Sequence, residues 1–134
     1  MILGLASIIG LGLAFFFVKS TPSETAARFM DALVRSDRET LVELSHIPDA
    51  TPEQLDAKWK KTLEIAKNYA FQWQMTSQSQ NSDTSAVAFL VVMPDMNNPQ
   101  SFEQKIQLPM VLIDGKWKVD VRRIPRDVFP ALPR

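Results

Sequence analysis

Proton transfer, nucleophilic attack and metal binding each need particular side chains, and this chain supplies few of them. His46 is the only histidine and there is no cysteine. A Ser-His-Asp set therefore has one imidazole to draw on, while thiol catalysis, thiolate metal sites and disulfides are excluded together. The sequence has no Gly-rich phosphate loop and no metal-spaced cluster of His and Asp, so no cofactor and no metal is expected. His46 falls where a predicted second helix runs out, a position where an imidazole gains from the helix dipole as a cap or surface residue. Lys and Arg number 15 against 15 for Asp and Glu. That balance argues against nucleic acid as a partner, which would require a clustered basic excess.

The carboxylates remain, and the stretch from Phe102 to Arg122 decides where two of them point. Phe102, Ile106, Leu108, Met110 and Leu112 alternate with Glu103, Lys105 and Gln107, the period of a strand with one face buried. Trp117, Val119 and Val121 then alternate with Lys116, Lys118, Asp120 and Arg122. Asp114-Gly115 between them supplies the positive backbone dihedrals of a type I′ hairpin. The predicted register pairs Ile113 with Lys116, Leu112 with Trp117, Met110 with Val119 and Leu108 with Val121. A slip of one residue would turn every apolar side chain outward.

The alternation also gives an inventory of what points inward. An earlier strand offers Tyr69, Phe71, Trp73 and Met75. The hairpin offers Phe102, Gln104, Ile106, Leu108, Met110 and Leu112, then Trp117, Val119 and Val121. None of these is Asp, Glu, His, Lys or Arg, and Glu103 and Asp120 fall on the outer face. Only Tyr69 and Gln104 bring polar groups inward. A general base must be in place before its pKa matters, so the chain is expected not to be an enzyme.

Three helices must precede the strands. Thr21-Pro22-Ser23-Glu24 reads as a capping box with proline at the first helical position. Ala26, Phe29, Met30, Leu33 and Val34 follow as one apolar stripe. Ser36-Asp37-Arg38-Glu39 repeats the signature and starts a short second helix burying Leu41, Val42 and Leu44, which Ile47-Pro48-Asp49 ends. Thr51-Pro52-Glu53-Gln54 opens a third, with Leu55, Trp59, Leu63 and Ala66 at helical spacing to about Asn68.

From Tyr69 the period changes to two, and Asn81-Ser82-Asp83 is turn chemistry. The unbroken apolar run from Ala86 to Met93 reads as a strand covered on both faces. Three helices cover only one face of a four-stranded sheet. The other face then meets a partner, or is shielded by neighbouring Gln72, Gln74, Lys105 and Lys118. Pro109 predicts a bulge or an edge within its strand. Residues 125–134 carry three prolines and read as an extended, solvated tail with Val128 and Phe129 packed locally on the sheet.

Ile2 to Val18 contains no charged residue and ends at Lys19. As a helix it reaches roughly 25 Å, just short of a ~30 Å hydrocarbon core. A retained anchor is favoured over a cleaved signal because no basic residue precedes the apolar run, although Val18-Lys19-Ser20 would serve as a cleavage site and make the domain secreted. Ala6, Gly10 and Ala14 form a small-residue stripe of the kind common in such segments. The predicted organisation is a membrane segment at 1–19, a domain at 20–124 and a tail at 125–134.

Phe29-Met30-Asp31-Ala32-Leu33 with Ser36-Asp37, and Asp114-Gly115-Lys116-Trp117-Lys118-Val119 in the hairpin, resemble the nuclear transport factor 2-like superfamily, also called cystatin-like, and most of all its small exported or membrane-anchored bacterial members. The resemblance implies an α+β fold: here an N-terminal apolar helix, then three helices packed on a curved four-stranded antiparallel sheet forming a cone. It further implies a cavity at the mouth and frequent dimerisation through the outer sheet face. Enzymes of that superfamily, isomerases and cyclases, place a carboxylate or histidine inside the cone, and this sequence departs from them there.

The expected role is a membrane-tethered, non-catalytic interaction or dimerisation module of the cell envelope, with its domain on the extracytoplasmic side and a homodimer or an envelope protein as partner. Its interaction face is Val87, Phe89, Val91, Lys105, Gln107, Lys118 and Arg122. The alternative is a carrier of an apolar small molecule in a pocket lined by Met30, Trp59, Tyr69, Trp73, Met75, Gln104, Met110 and Trp117, residues that ordinary core packing also explains. A further alternative is an enzyme of the isomerase or cyclase type.

Overall fold

The computed structural model describes residues 20–65, 71–93, 103–125 and 132–134. The predicted anchor, the small-residue stripe, Tyr69, Phe102, Val128 and Phe129 lie outside them. Among the described residues no helix is long and apolar enough to cross a membrane.

Helix α1 spans Pro22–Arg35 and opens with the expected capping box. The Glu24 N–H donates to Thr21 Oγ1 at 3.1 Å and the Thr21 N–H to Glu24 Oε2 at 3.5 Å. Such a cap is worth ~1 kcal/mol. Ser36 does not cap the next helix as predicted. Its backbone is left-handed, φ 56° and ψ 39°, and it closes α1 instead. A residue held there cannot take the extended conformation of an N-cap, so Asp37 caps α2, Arg38–Leu44. Its carboxylate accepts from the Thr40 hydroxyl at 2.8 Å and the Thr40 N–H at 3.3 Å, and these bonds hold its pKa below the ordinary value. In α2, Leu41 and Leu44 are buried and Val42 partly so. Helix α3, Pro52–Ile65, has a reciprocal cap in which Gln54 N–H donates to Thr51 Oγ1 and Thr51 N–H to Gln54 Oε1. Its buried face is Leu55, Trp59 and Thr62, with Leu63 partly buried.

The sheet has five strands rather than four and is mixed rather than antiparallel. Its order is β1-β5-β4-β3-β2, with β1 Ser45–His46, β2 Gln72–Gln80, β3 Ser85–Met93, β4 Gln104–Ile113 and β5 Lys116–Asp120. Strand β1 pairs parallel to β5, Ser45 against Val119 and His46 against Asp120. Its two residues are too few to show any period in the sequence, and they lie where the second helix was expected to run on. His46 is thus an edge-strand residue rather than a helix cap.

The β4–β5 hairpin keeps the predicted register at Ile113–Lys116, Leu112–Trp117 and Met110–Val119. Asp114 and Gly115 have φ of 51° and 77°, as a type I′ turn requires. The fourth predicted pair, Leu108 with Val121, does not form. Cα pairing with β5 stops at Met110, next to Pro109, which has no N–H to give, and Val121 begins a 3-10 turn, Val121–Arg123. Towards β3, Pro109 sits opposite Val87 without a register break. The sheet's irregularity lies in β2, where Thr76 is an extra residue between Met75 and Ser77.

Helix α1 packs across β2, β3, β4 and β5 and buries Ala26, Phe29, Met30 and Leu33. From the sheet side come Ala86, Ala88, Leu90 and Val92, then Ile106, Leu108 and Met110, then Trp117 and Val119. The tail is not wholly solvated. Leu132 is only 4% exposed and belongs to the core.

Trp59 is fully buried and meets Phe29 edge to face, ring centroids 5.9 Å apart. Its indole N–H donates to Ser45 Oγ at 2.8 Å, and that hydroxyl donates to the Leu41 carbonyl at 2.5 Å. Ser45→Ala leaves a buried N–H without its acceptor, and the expected loss of stability is ~1–3 kcal/mol in denaturant unfolding. Ser45→Ala in a Trp59→Phe background should lose less than in the wild type, because no indole N–H is then left to orphan.

Candidate interaction face

Strand β3 carries an apolar residue at every position from Ala86 to Met93, yet its two faces differ. Ala86, Ala88, Leu90 and Val92 are buried beneath the helices, while Val87, Phe89, Val91 and Met93 are only partly buried on the other face. Among the described residues one face is fully covered and the other only in part. The neighbouring strands supply the partial cover. Gln74, Val91 and Lys105 form one row across β2, β3 and β4, and Ser77, Phe89 and Gln107 form the next. Ser79, Val87 and Pro109 form a third. Stems of Gln and Lys lie over apolar neighbours while their polar ends stay in water.

The extra residue at Thr76 shapes this face. A bulge bends its strand and increases the local twist. The Thr76 hydroxyl donates to the Phe89 carbonyl at 3.1 Å, and a hollow of about 460 Å³ opens beside it, lined by Thr76, Ser77, Phe89, Val91, Lys105 and Gln107. Five of the seven predicted face residues, Val87, Phe89, Val91, Lys105 and Gln107, are thus brought together.

The other two are placed differently. Lys118 shares the outer face opposite Val111, but its ammonium donates to the Glu43 carbonyl at 2.8 Å, at the end of α2. Burial, and secondarily the charge of Lys116, lower its pKa against the opposing pull of Glu43 and Asp114. Arg122 is exposed on the 3-10 turn, beyond the strand. The sequence reading missed Pro109, Val111 and Ile113, which continue the odd-numbered series of Lys105 and Gln107 along β4. The signal is present in that alternation, although the polar residues at its start mark a solvent face.

Most of the proposed pocket set belongs to one packed core. Met30, Trp59, Met110 and Trp117 are part of the hydrophobic core, and Trp73 and Met75 pack partly buried against it. Gln104 stands opposite Val92, partly exposed. Among the described residues the buried polar side chains are Thr25, Ser45 and Thr62, none of them ionisable. The Thr25 hydroxyl donates to the Trp117 carbonyl at 3.3 Å.

Two solved structures resemble this fold over most of their length. One is a ketosteroid isomerase-like protein from Erwinia carotovora atroseptica SCRI1043, with TM-score 0.51 and 11% identity over 72% of this chain and 86% of that one. The fold is nuclear transport factor 2-like. The second is a protein of unknown function with a cystatin-like fold from Nostoc punctiforme PCC 73102, with TM-score 0.50 and 18% identity over 72% of this chain and 81% of that one. At these identities the likeness concerns the nuclear transport factor 2-like fold and not an activity. No family model and no curated protein matches the chain.

The depressed pKa of Lys118 has a measurable consequence. Between the folded value and the ordinary ~10.4, the unfolded chain binds more protons, so stability rises with pH there. Relative to a Lys118→Gln variant, the wild type should gain stability as pH climbs through that window, and chemical denaturation from pH 8 to about 10.5 reads the difference.

Proposed function

We propose that this protein is a membrane-tethered, non-catalytic interaction module that pairs, with a second copy or an envelope protein, through the outer face of its sheet. The observation that carries the reading is the apolar row Val87, Phe89, Val91 and Met93, continued by Pro109, Val111 and Ile113, on the face opposite the helices. Contiguous apolar surface of this sort, rimmed by Gln, Ser and Lys, is characteristic of interfaces. The tether rests on the uncharged run from Ile2 to Val18, which as a helix would reach most of the way across a hydrocarbon core, and in this reading the domain lies on the extracytoplasmic side. The non-catalytic part rests on a buried polar set limited, among the described residues, to three hydroxyl side chains, which offers no general base.

A homodimer is the simpler form of this reading, because an apolar strand at the middle of a face can meet its own copy about a twofold axis. The chain has no cysteine, so a single introduced thiol reports the contact cleanly. Val91→Cys in the full-length chain, held in membranes or mild detergent, should give an oxidised dimer. The same substitution at exposed Glu39 should not. Phe89→Glu should convert a dimer to a monomer by light scattering while leaving unfolding within about 1 kcal/mol of wild type, since the residue is outside the core. A wild type that is monomeric at high concentration, and that crosslinks to no membrane protein, sinks the reading.

A further inference from the structure

The sheet has two edges of unlike construction. At one, β1 is two residues long, and Pro48 follows two positions after it. At the other, β2 runs for nine residues, Gln72–Gln80, with no charged residue and no proline. Among the described residues no strand pairs with its far side. A free edge is a template for another strand, and proteins blunt it by shortness, charge, proline or a bulge. On β2 the bulge at Thr76 is the one such device, and from Thr76 to Gln80 every residue is exposed.

The turn that follows fixes which backbone groups of this stretch face outward. The Asn81 N–H donates to the Ser85 carbonyl at 2.9 Å, towards β3. By alternation the backbone groups of Ser79 and Ser77 also face β3, and those of Gln80 and Gln78 face the open edge. The side chains are arranged symmetrically about Gln78. A second copy laid antiparallel and centred there sets Gln78 opposite Gln78, Ser77 opposite Ser79 and Thr76 opposite Gln80. No charge then meets its like, which is the usual obstacle when a strand meets itself. The outward N–H and carbonyl of Gln78 bond to those of its copy, and the serine hydroxyls face one another on the outer side of the sheet.

We propose that β2 is a homotypic edge, through which two copies of this chain pair antiparallel along Thr76–Gln80 about a twofold axis at Gln78, continuing the sheet from one copy into the other. The contact is closed. Each copy uses its long edge once, and the two-residue β1 edge left at either end offers little to a third. The axis runs perpendicular to the sheet, so the outer faces of both copies lie on one side and are not covered by the contact. Edge pairing is therefore independent of pairing through the outer face.

The test uses the full-length chain in mild detergent, followed by light scattering and by oxidation of single introduced thiols. Directly opposed residues of a hydrogen-bonded pair have Cα atoms about 5.5 Å apart, within disulfide range, so Gln78→Cys should give an oxidised dimer. Gln72→Cys, on the same strand, lies roughly 40 Å from its copy in this register and should give none. Gln78→Pro removes the outward N–H but no bond to β3, so it should keep the fold by circular dichroism and weaken the dimer at least about tenfold. Gln78→Lys is the second variant. It brings two ammonium groups together at the axis and should weaken the dimer in a way that added salt relieves. A wild type that is monomeric at high concentration overturns the edge contact and the face contact alike. An oxidised dimer from Val91→Cys with none from Gln78→Cys overturns the edge contact alone, and the reverse result supports it while removing the face contact. A dimer that neither Gln78→Pro nor Gln78→Lys weakens also overturns it.

Discussion

The indole N–H of Trp59 must have a hydrogen-bond acceptor, and meeting that need fixes where three elements lie. Trp59 has no exposed surface, and a buried donor left alone costs ~1–3 kcal/mol. Ser45 supplies the acceptor and donates its own hydroxyl hydrogen to the Leu41 carbonyl of α2. Its backbone is already extended, φ −91° and ψ 146°, and it pairs in a parallel strand against Val119. One hydroxyl therefore ties α3 to the junction where α2 ends and the fifth strand begins. The edge-to-face contact with Phe29 couples the same tryptophan to α1.

From that junction the sheet acquires two unlike sides. Helix α1 covers the inner faces of β2 to β5, and with α2 and α3 it encloses an interior whose polar side-chain groups, among the described residues, include three hydroxyls and the Trp59 indole N–H. The outer side has no helix among the described residues and carries the apolar row of β3 between polar flanks. In the interior, Thr25 and Ser45 already hold hydrogen bonds. On the outer side, the bulge at Thr76 stands beside a hollow of about 460 Å³.

Local codes were legible wherever a few adjacent residues determine the outcome. Thr21-Pro22-Ser23-Glu24 and Thr51-Pro52-Glu53-Gln54 cap their helices as written, because a cap is closed within four residues. Asp114-Gly115 turns the hairpin in the predicted register for the same reason. Ser36-Asp37 misled by one position. Both residues are competent caps, and the choice fell to Asp37 because α1 needed a left-handed residue to end on. Of the candidate face, Lys105 and Gln107 were readable from alternation, whereas Val87, Phe89 and Val91 stand in an unbroken apolar run whose two faces only the packing of the helices tells apart. The bond of Lys118 to the Glu43 carbonyl was not legible, because that partner lies 75 positions away in sequence.

The sequence alone determined the three helices and the four longer strands that follow them, the hairpin register near the turn, the inward apolar residues Ile106, Leu108, Met110, Trp117 and Val119, and the outward position of Glu103 and Asp120. All of these follow from periods of two and 3.6 and from turn chemistry, which are local physics. Tertiary structure alone decided that Ser45–His46 is a strand, that β2 bulges at Thr76, and that Leu132 returns to the core. Each of these depends on a partner far along the chain: Trp59 for Ser45, Phe89 for Thr76, and the core for Leu132. Two residues of strand or three of tail carry no period to read, and long-range burial and hydrogen bonding settle them instead.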